Sequence, residues 1–418
     1  MGTADTAALN PVQLALQAIE RFLQSSRSPQ LLEPGEPALP LREGLYSLTP
    51  SGRWLMLEAW DQNRVLSRRI AGVKQHSTGR LELITQRFGG KPGSLFLLDA
   101  ARSSNDGLCR KAHRLIFGEQ FRQMVRHQFN GWRIVDFSTG ANLEESLSPS
   151  YPRAFTRKGA RGWAVMAAPP DSDVDGMLSF ALIWLDYLRR RERKVVVEGV
   201  AVFLPYGLQR TTALRLLHLH PGLAQYSAFA YTGEGHTLAI DLRDFGNLDT
   251  KLEAKPVPRP ARQEPEAIME AQVRSYLPFL DSGLRPEPVY GQVPTVAGTD
   301  HGILDLLSVG FDGRLAVIEL KATESIHLPL QALDYWMRVK WHLDRGDFAR
   351  QGYFPGIALS PDPPRLLLAA PALRFHSTNE RILGFFRAEI EVDRIGLAES
   401  WGGPVRVMFR HSRPTIGG

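Results

Sequence analysis

Three charged side chains, Asp305, Glu319 and Lys321, stand inside the apolar run "GILDLLSVGFDGRLAVIELKAT" (302–323). The run reads as two buried strands, where ionisable groups belong to a site or to an ion network. The turn "GFDGR" decides whether the three meet. If Phe311, Asp312 and Gly313 form a three-residue loop with Gly313 left-handed, Gly310 pairs with Arg314. Continuing that pairing sets Asp305 opposite Glu319, with Cβ atoms about 5 Å apart on one face. Lys321, two residues on, projects from the same face. A two-residue Asp-Gly loop would instead set Leu306 opposite Glu319 and scatter the cluster.

Two carboxylates this close repel, and burying them is costly unless something neutralises them. A hard divalent cation suits them, because Mg²⁺ prefers carboxylate oxygens and keeps several waters. Lys321 beside them can touch a water or a phosphate oxygen and lower the cost of forming hydroxide. The same residues can also make a plain Asp–Lys–Glu ion network at a strand edge.

Two helices must complete the arrangement. One starts at Pro265 and continues through "EAIMEAQVRSYLPFL", with Glu266, Met269, Glu270, Val273 and Leu277 on one face. The other, "SIHLPLQALDYWMRVKWHL", has Pro329 near its start and an apolar set of Leu330, Leu333, Met337 and Trp341. Gln331 and Tyr335 stand one turn apart on another face, beside Arg338 and His342. From the first turn, Gln331 can hydrogen-bond an attacking water or a phosphate. His327 and His301 flank the cluster and suit structure or substrate contact.

An Asp, a hairpin, "ELK" and then "QALDY" on a helix together resemble the PD-(D/E)XK nuclease superfamily. The likeness is to the branch with a QxxxY motif, which includes RecB-like nucleases and the branched-DNA and mismatch endonucleases. It covers roughly 260–375, with "LLLAAPALRF" as the fourth core strand. The resemblance implies that Asp305 and Glu319 bind Mg²⁺ or Mn²⁺, aided by the Leu320 carbonyl. It implies that Lys321 activates water or steadies the scissile phosphate, and that Gln331 and Tyr335 orient water and backbone. Glu270 would match the upstream glutamate of the family and join the metal set, with Glu266 its competitor one turn away. Leu304 stands where the motif name places proline, a position that varies widely in such families.

The expected fold is α/β and α+β multidomain, with a C-terminal αβββαβ restriction-endonuclease-like core. A small β-rich domain and an α/β domain precede it. Residues 1–42 read as a helix and a Pro-rich linker, and 43–158 as a basic β-rich (α+β) nucleic-acid-binding domain. Strands alternating with helices make 159–250 an α/β domain of unassigned role. The prolines of 251–264 mark a linker, and 265–418 is the nuclease-like domain. No internal repeat is visible in the sequence.

With 43% hydrophobic and 22% charged residues, the 418-residue chain has the composition of a soluble globular protein. It shows no apolar run long enough to span a membrane and no signal-peptide pattern. One cysteine excludes an internal disulfide and a cysteine-built zinc site, consistent with the cytoplasm. From Leu41 to Ala160 there are 19 Lys/Arg against 10 Asp/Glu, whereas from Arg262 onward there are 17 against 19. The basic surplus at the front suits a polyanion. Arg110, Lys111, Arg114, Arg122 and Arg126 recur along one helix there, placed to grip phosphates or simply to be solvated. Glu198, in a strand, reads as a salt-bridged structural carboxylate.

These features point to a metal-dependent DNA endonuclease acting in repair, restriction or phage defence, with a homodimer compatible. A nuclease-fold protein without activity, serving as a nucleic-acid-binding or assembly module, is the alternative. A metabolic hydrolase ranks last, since no G-x-S-x-G, P-loop or H-E-x-x-H motif is present.

Overall fold

A computed structural model describes residues 10–33, 38–60, 65–77, 79–86, 92–101, 107–233, 235–248, 250–252, 265–297, 300–399 and 405–412. The chain divides into two compact units, Met1–Gln123 and Met124–Gly418.

The first unit is one antiparallel sheet with a helix on it. Helix α1 (Pro11–Ser25) is capped by Asn10, whose side chain accepts from the Val12 N–H at 3.2 Å, and it begins on Pro11. Strands β1 (Pro29–Leu32), β2 (Leu39–Pro40), β3 (Tyr46–Ser51), β4 (Trp54–Trp60), β5 (Val65–Ser77), β6 (Arg80–Gln86) and β7 (Pro92–Asp99) follow. They lie in the order β2-β1-β7-β6-β5-β4-β3. In β4, Leu55, Leu57 and Ala59 alternate inward and meet Ile19 and Phe22 of α1 in one core. The stretch expected as a Pro-rich linker thus includes two strands. Pro29 opens β1 and Pro40 ends β2, end positions where a missing N–H costs the ladder least. Helix α2 (Gly107–Gln128) buries Phe117, Phe121, Met124 and Val125 on one stripe.

The second unit has two sheets. The first contains β8 (Arg133–Ser138), β9 (Arg153–Lys158), β10 (Arg161–Ala167), β11 (Val196–Pro205), β12 (Gln225–Tyr231) and β13 (Thr237–Ile240), in that spatial order. Helix α3 (Met177–Arg191) connects β10 to β11, and α4 (Arg210–Leu217) connects β11 to β12. The continuous apolar run of β11 marks a strand covered on both faces. The second sheet contains β14 (Thr250–Leu252), β15 (Tyr290–Ala297), β16 (Asp300–Val309), β17 (Leu315–Leu320), β18 (Arg365–Pro371), β19 (Val392–Leu397) and β20 (Val407–Ser412). Helices α5 (Pro265–Ser275) and α6 (Leu277–Leu280) precede β15. Helices α7 (Leu328–Asp344) and α8 (Asp347–Arg350) join β17 to β18, and α9 (Asn379–Leu383) joins β18 to β19.

The expected helices and core strands of 265–371 are present, and β19 and β20 extend the sheet beyond them. Most of the expected linker, 253–264, lies outside the described residues. The segments on either side of it share one core, in which Trp184, Leu182 and Val202 join Leu333, Trp336 and Leu366. Helix α7 packs on β17 and β18 on one side and on α4 and α9 on the other. That double covering explains why apolar residues surround it rather than forming a single stripe.

The hairpin between β16 and β17 has the three-residue loop expected from its sequence. The Gly310 N–H donates to the Arg314 carbonyl at 2.8 Å, Gly313 has φ +79°, and Leu306 pairs with Ile318. A Cβ on Gly313 would also overlap the Ala358 carbonyl oxygen. Gly313→Ala is therefore expected to destabilise the second unit by about 1–3 kcal/mol through backbone strain and overlap. Chemical denaturation monitored by tryptophan fluorescence measures this. An unchanged midpoint would contradict the left-handed turn.

Candidate active site

The β16–β17 pairing ends at Leu306 with Ile318, and continued by one residue it sets Asp305 opposite Glu319, in keeping with the turn. The carboxylates are also tied through the backbone, because the Leu320 N–H donates to Asp305 Oδ2 at 2.8 Å. Lys321 follows directly. Its N–H donates to the Ala369 carbonyl at 3.1 Å, fixing the chain at the end of the parallel pair of β17 with β18. Asp305 and Lys321 are half-buried, whereas Glu319 is only 2% exposed.

Burial dominates the electrostatics. It pushes the Asp305 carboxyl up to about 6, with Glu270 and Glu266 adding to the rise and the Leu320 N–H and Lys321 opposing it. Burial and then the Asp305 charge raise Glu319 well above the usual carboxylate range. Each negative charge makes ionisation of the other harder, and Lys321 offsets part of that. Glu319 Oε2 is moreover buried with no hydrogen-bond partner. A buried acceptor left unpaired this way costs on the order of 1–3 kcal/mol.

Helix α5 brings two carboxylates toward the pair. Glu266 Oε1 lies 3.5 Å from Lys321 Nζ. Glu270 is held by Arg274, with Oε1 2.5 Å from Nη2. Gly291 of β15 makes room for that ion pair, since a Cβ there would fall on the Arg274 guanidinium. Both glutamates raise Asp305, Glu266 also raises Glu319, and Glu266 lines the cleft.

Gln331 and Tyr335 come from the first turns of α7 and line the same cleft as Lys321. Burial, followed by the charges of Glu319 and Asp305, raises the Tyr335 phenol, so it stays a donor across the working pH range. His327 stands at the N-terminus of α7 with Nδ1 3.0 Å from Ser179 Oγ, a structural contact at the rim of the cleft. The side chain of His301 lies outside the described residues.

The cleft, about 550 Å³, has a second wall that the sequence did not reveal. Asp173, Asp175, Gly176, Thr211 and Arg215 come from the α/β segment. Arg215 is buried and grips Asp334 of α7 with two bonds, Nε to Oδ1 at 2.9 Å and Nη2 to Oδ2 at 2.7 Å. No local pattern announces a pair 119 residues apart. Arg338, one turn beyond Tyr335, also lines the cleft.

The remaining basic candidates lie on α2. The side chains of Arg110 and Lys111 lie outside the described residues. Arg114 and Arg122 are half-buried and Arg126 is exposed, with Arg122 3.6 Å from Glu119. Glu198 makes a salt bridge with Arg161 at 2.6 Å, in keeping with a structural role. No helix among the described residues is long and apolar enough to cross a membrane.

Among the described residues, no three carboxylate, histidine or cysteine side chains already converge as a ligand set. The Asp305–Glu319 pair, with its unpartnered Oε2, fits a hard cation that takes few protein oxygens and keeps its waters. No known family or characterised protein matches the chain in sequence.

The raised Asp305 carboxyl has a definite linkage sign. The folded state binds that proton more tightly than the unfolded chain, so its stabilisation is full at low pH and is lost as pH rises through about 6. In chelator, the melting temperature of the protein should fall between pH 5 and pH 7.5. Asp305→Asn, which cannot ionise, should flatten that decline and melt higher at pH 7.5. Parallel pH slopes for the two proteins in thermal melts would refute the buried, raised carboxyl.

Proposed function

We propose that the chain is a metal-dependent nuclease that hydrolyses DNA phosphodiester bonds, on a PD-(D/E)XK-like core spanning 265–371. The observation that carries this reading is the buried Asp305–Glu319 pair with an unpartnered carboxylate oxygen. Lys321, Gln331 and Tyr335 stand around the adjoining cleft.

Asp305 and Glu319, with the Leu320 carbonyl, would hold Mg²⁺ or Mn²⁺, and Glu266 or Glu270 would complete the acidic shell. When bound, such an ion supplies compensation for the paired carboxylates and Lewis-acid activation of water. The chain's own groups do the rest. Lys321 places a positive charge where negative charge grows on the phosphate. The Gln331 amide orients the attacking water, and the Tyr335 hydroxyl donates to a phosphate oxygen. The water oxygen bonds to phosphorus as the P–O3′ bond breaks. One water proton leaves, and the departing 3′ oxygen takes up a proton, giving a 3′-hydroxyl and a 5′-phosphate. The basic residues of 43–158 would hold the DNA backbone, and this cytoplasmic enzyme would serve repair, restriction or phage defence.

The 3.5 Å Lys321–Glu266 ion pair favours one second reading, because it engages the lysine within the protein. On that reading the fold binds nucleic acid without cutting it. Incubation with single-stranded, duplex and branched DNA and with RNA, in Mg²⁺ or Mn²⁺, decides between them. The wild type is expected to cleave DNA, and Lys321→Ala and Asp305→Ala should each lose about 100-fold or more. Cleavage surviving both substitutions would remove the site, and binding without cleavage would select the second reading.

A further inference from the structure

The two sheets of the second unit follow one plan. From β8 to β13 the successive pairings are antiparallel, antiparallel, parallel, parallel and antiparallel. From β15 to β20 they run in the same sequence. In each, a helix follows the third strand and another follows the fourth. The two copies also face each other as symmetric partners do. Helix α3 packs on α9, and α4 packs on α7. Leu219 bridges Phe386, and each stands six residues before the fifth strand of its sheet, at Gln225 and Val392. The His220 N–H donates to the Phe385 carbonyl, and the Arg387 N–H donates to the His218 carbonyl. These two bonds are the reciprocal pair of an antiparallel bridge, and because the bridge joins equivalent positions of the two copies it is compatible with a two-fold arrangement.

The registers fix which positions correspond. Leu320 pairs with Ala369, and the following N–H, of Lys321, donates to Ala369. Ala167 pairs with Phe203, and the following N–H, of Ala168, donates to Phe203. Glu319 therefore corresponds to Met166 and Lys321 to Ala168. Across the hairpin Met166 pairs with Arg153, which takes the place of Asp305. Ser308 and Thr156 fall on equivalent positions, and both are buried hydroxyls without a partner. Counted from the helix caps, His327 and Gly176, Phe180 replaces Gln331 and Trp184 replaces Tyr335. The Arg153 guanidinium sits over the Trp184 ring at 5.5 Å and donates to the Gly140 carbonyl. At the positions equivalent to Asp305 and Glu319 this second centre carries Arg153 and Met166, neither a carboxylate.

We infer that residues 133–240 are a catalytically silent copy of the core that carries Asp305 and Glu319, and that the chain cuts one DNA strand per encounter. The inference rests on the nuclease reading. A symmetric pair of such cores would present two centres to the two strands, whereas this intramolecular pair presents one. The silent copy instead closes the cleft. Its Asp173 and Asp175 lie before α3 as Glu324 and Ser325 lie before α7, and all four line the same space. Hydrolysis breaks one P–O3′ bond, with water supplying the oxygen and proton of the products, so no further reactant is needed.

Supercoiled plasmid incubated with full-length protein in Mg²⁺ or Mn²⁺ tests this. Nicked circle should be the first product, formed in proportion to protein, with linear DNA only after nicks accumulate. Lys321→Ala should abolish nicking, while Met166→Leu, a volume-conserving change in the silent centre, should nick within about twofold of wild type. Linear DNA formed directly from supercoiled, or cleavage persisting in Lys321→Ala, would overturn the inference and leave the nuclease reading standing in the first case. A wild type that cuts no DNA at all would overturn both.

Discussion

Two like charges buried side by side are the constraint around which the second unit is organised. Asp305 and Glu319 face each other because a three-residue turn sets the register of β16 and β17. Left alone, the pair would repel in a low-dielectric interior and shed a charge. Each neighbour answers part of that cost. The Leu320 N–H donates to Asp305, Lys321 lies at the strand end, and Tyr335 stays protonated beside them. One oxygen of Glu319 is left unanswered. A stability-optimised core would not keep it, and that unpaired oxygen is what supports the proposed site over a plain ion network.

The surrounding frame makes that arrangement tolerable. One apolar core runs through both sheets of the second unit, and α7 is covered on both sides. Gln331 and Tyr335 therefore project from a helix with little freedom to turn, the condition for placing polar groups to a fraction of an ångström. At the silent centre the same strands carry Met166 and Ala168, both buried, and an arginine over a tryptophan. A methionine fills its space at no electrostatic cost. The plan of the fold does not require the charges, so their presence in one copy alone calls for a functional reason.

Much of this could be read from the residues because the signals were local. "FDG" gave the loop length, and loop length gave the register. Pro329 and the apolar spacing gave α7 within its observed bounds. Glutamates one turn apart on α5 pointed to the same place, although only the Arg274 and Lys321 contacts distinguish Glu270 from Glu266. What stayed hidden was non-local. Strands β1 and β2 carry prolines that read as linker, yet β1 pairs with β7 and β2 adds to β1 as the edge of the sheet. The far wall of the cleft depends on Arg215 meeting Asp334 across 119 residues. The repeated topology left no trace in the sequence, because equivalent positions carry opposite chemistry: Asp against Arg, Glu against Met, Lys against Ala.

That hidden wall bears on how the site works. Asp334 lies on α7 between Gln331 and Tyr335, and its partner Arg215 belongs to α4 of the silent copy. Burial works against the guanidinium, and Asp334 with the nearby Asp175 and Asp173 holds it charged. A buried bidentate pair of this kind adds little net stability, but losing one partner strands the other charge at a cost of about 3–5 kcal/mol. Its effect is positional: it ties α7 to α4 at Asp334, beside Tyr335 and one turn from Gln331. The sheet that carries Arg153 and Met166 in place of the carboxylates thus helps to hold the helix from which Gln331 and Tyr335 reach into the cleft.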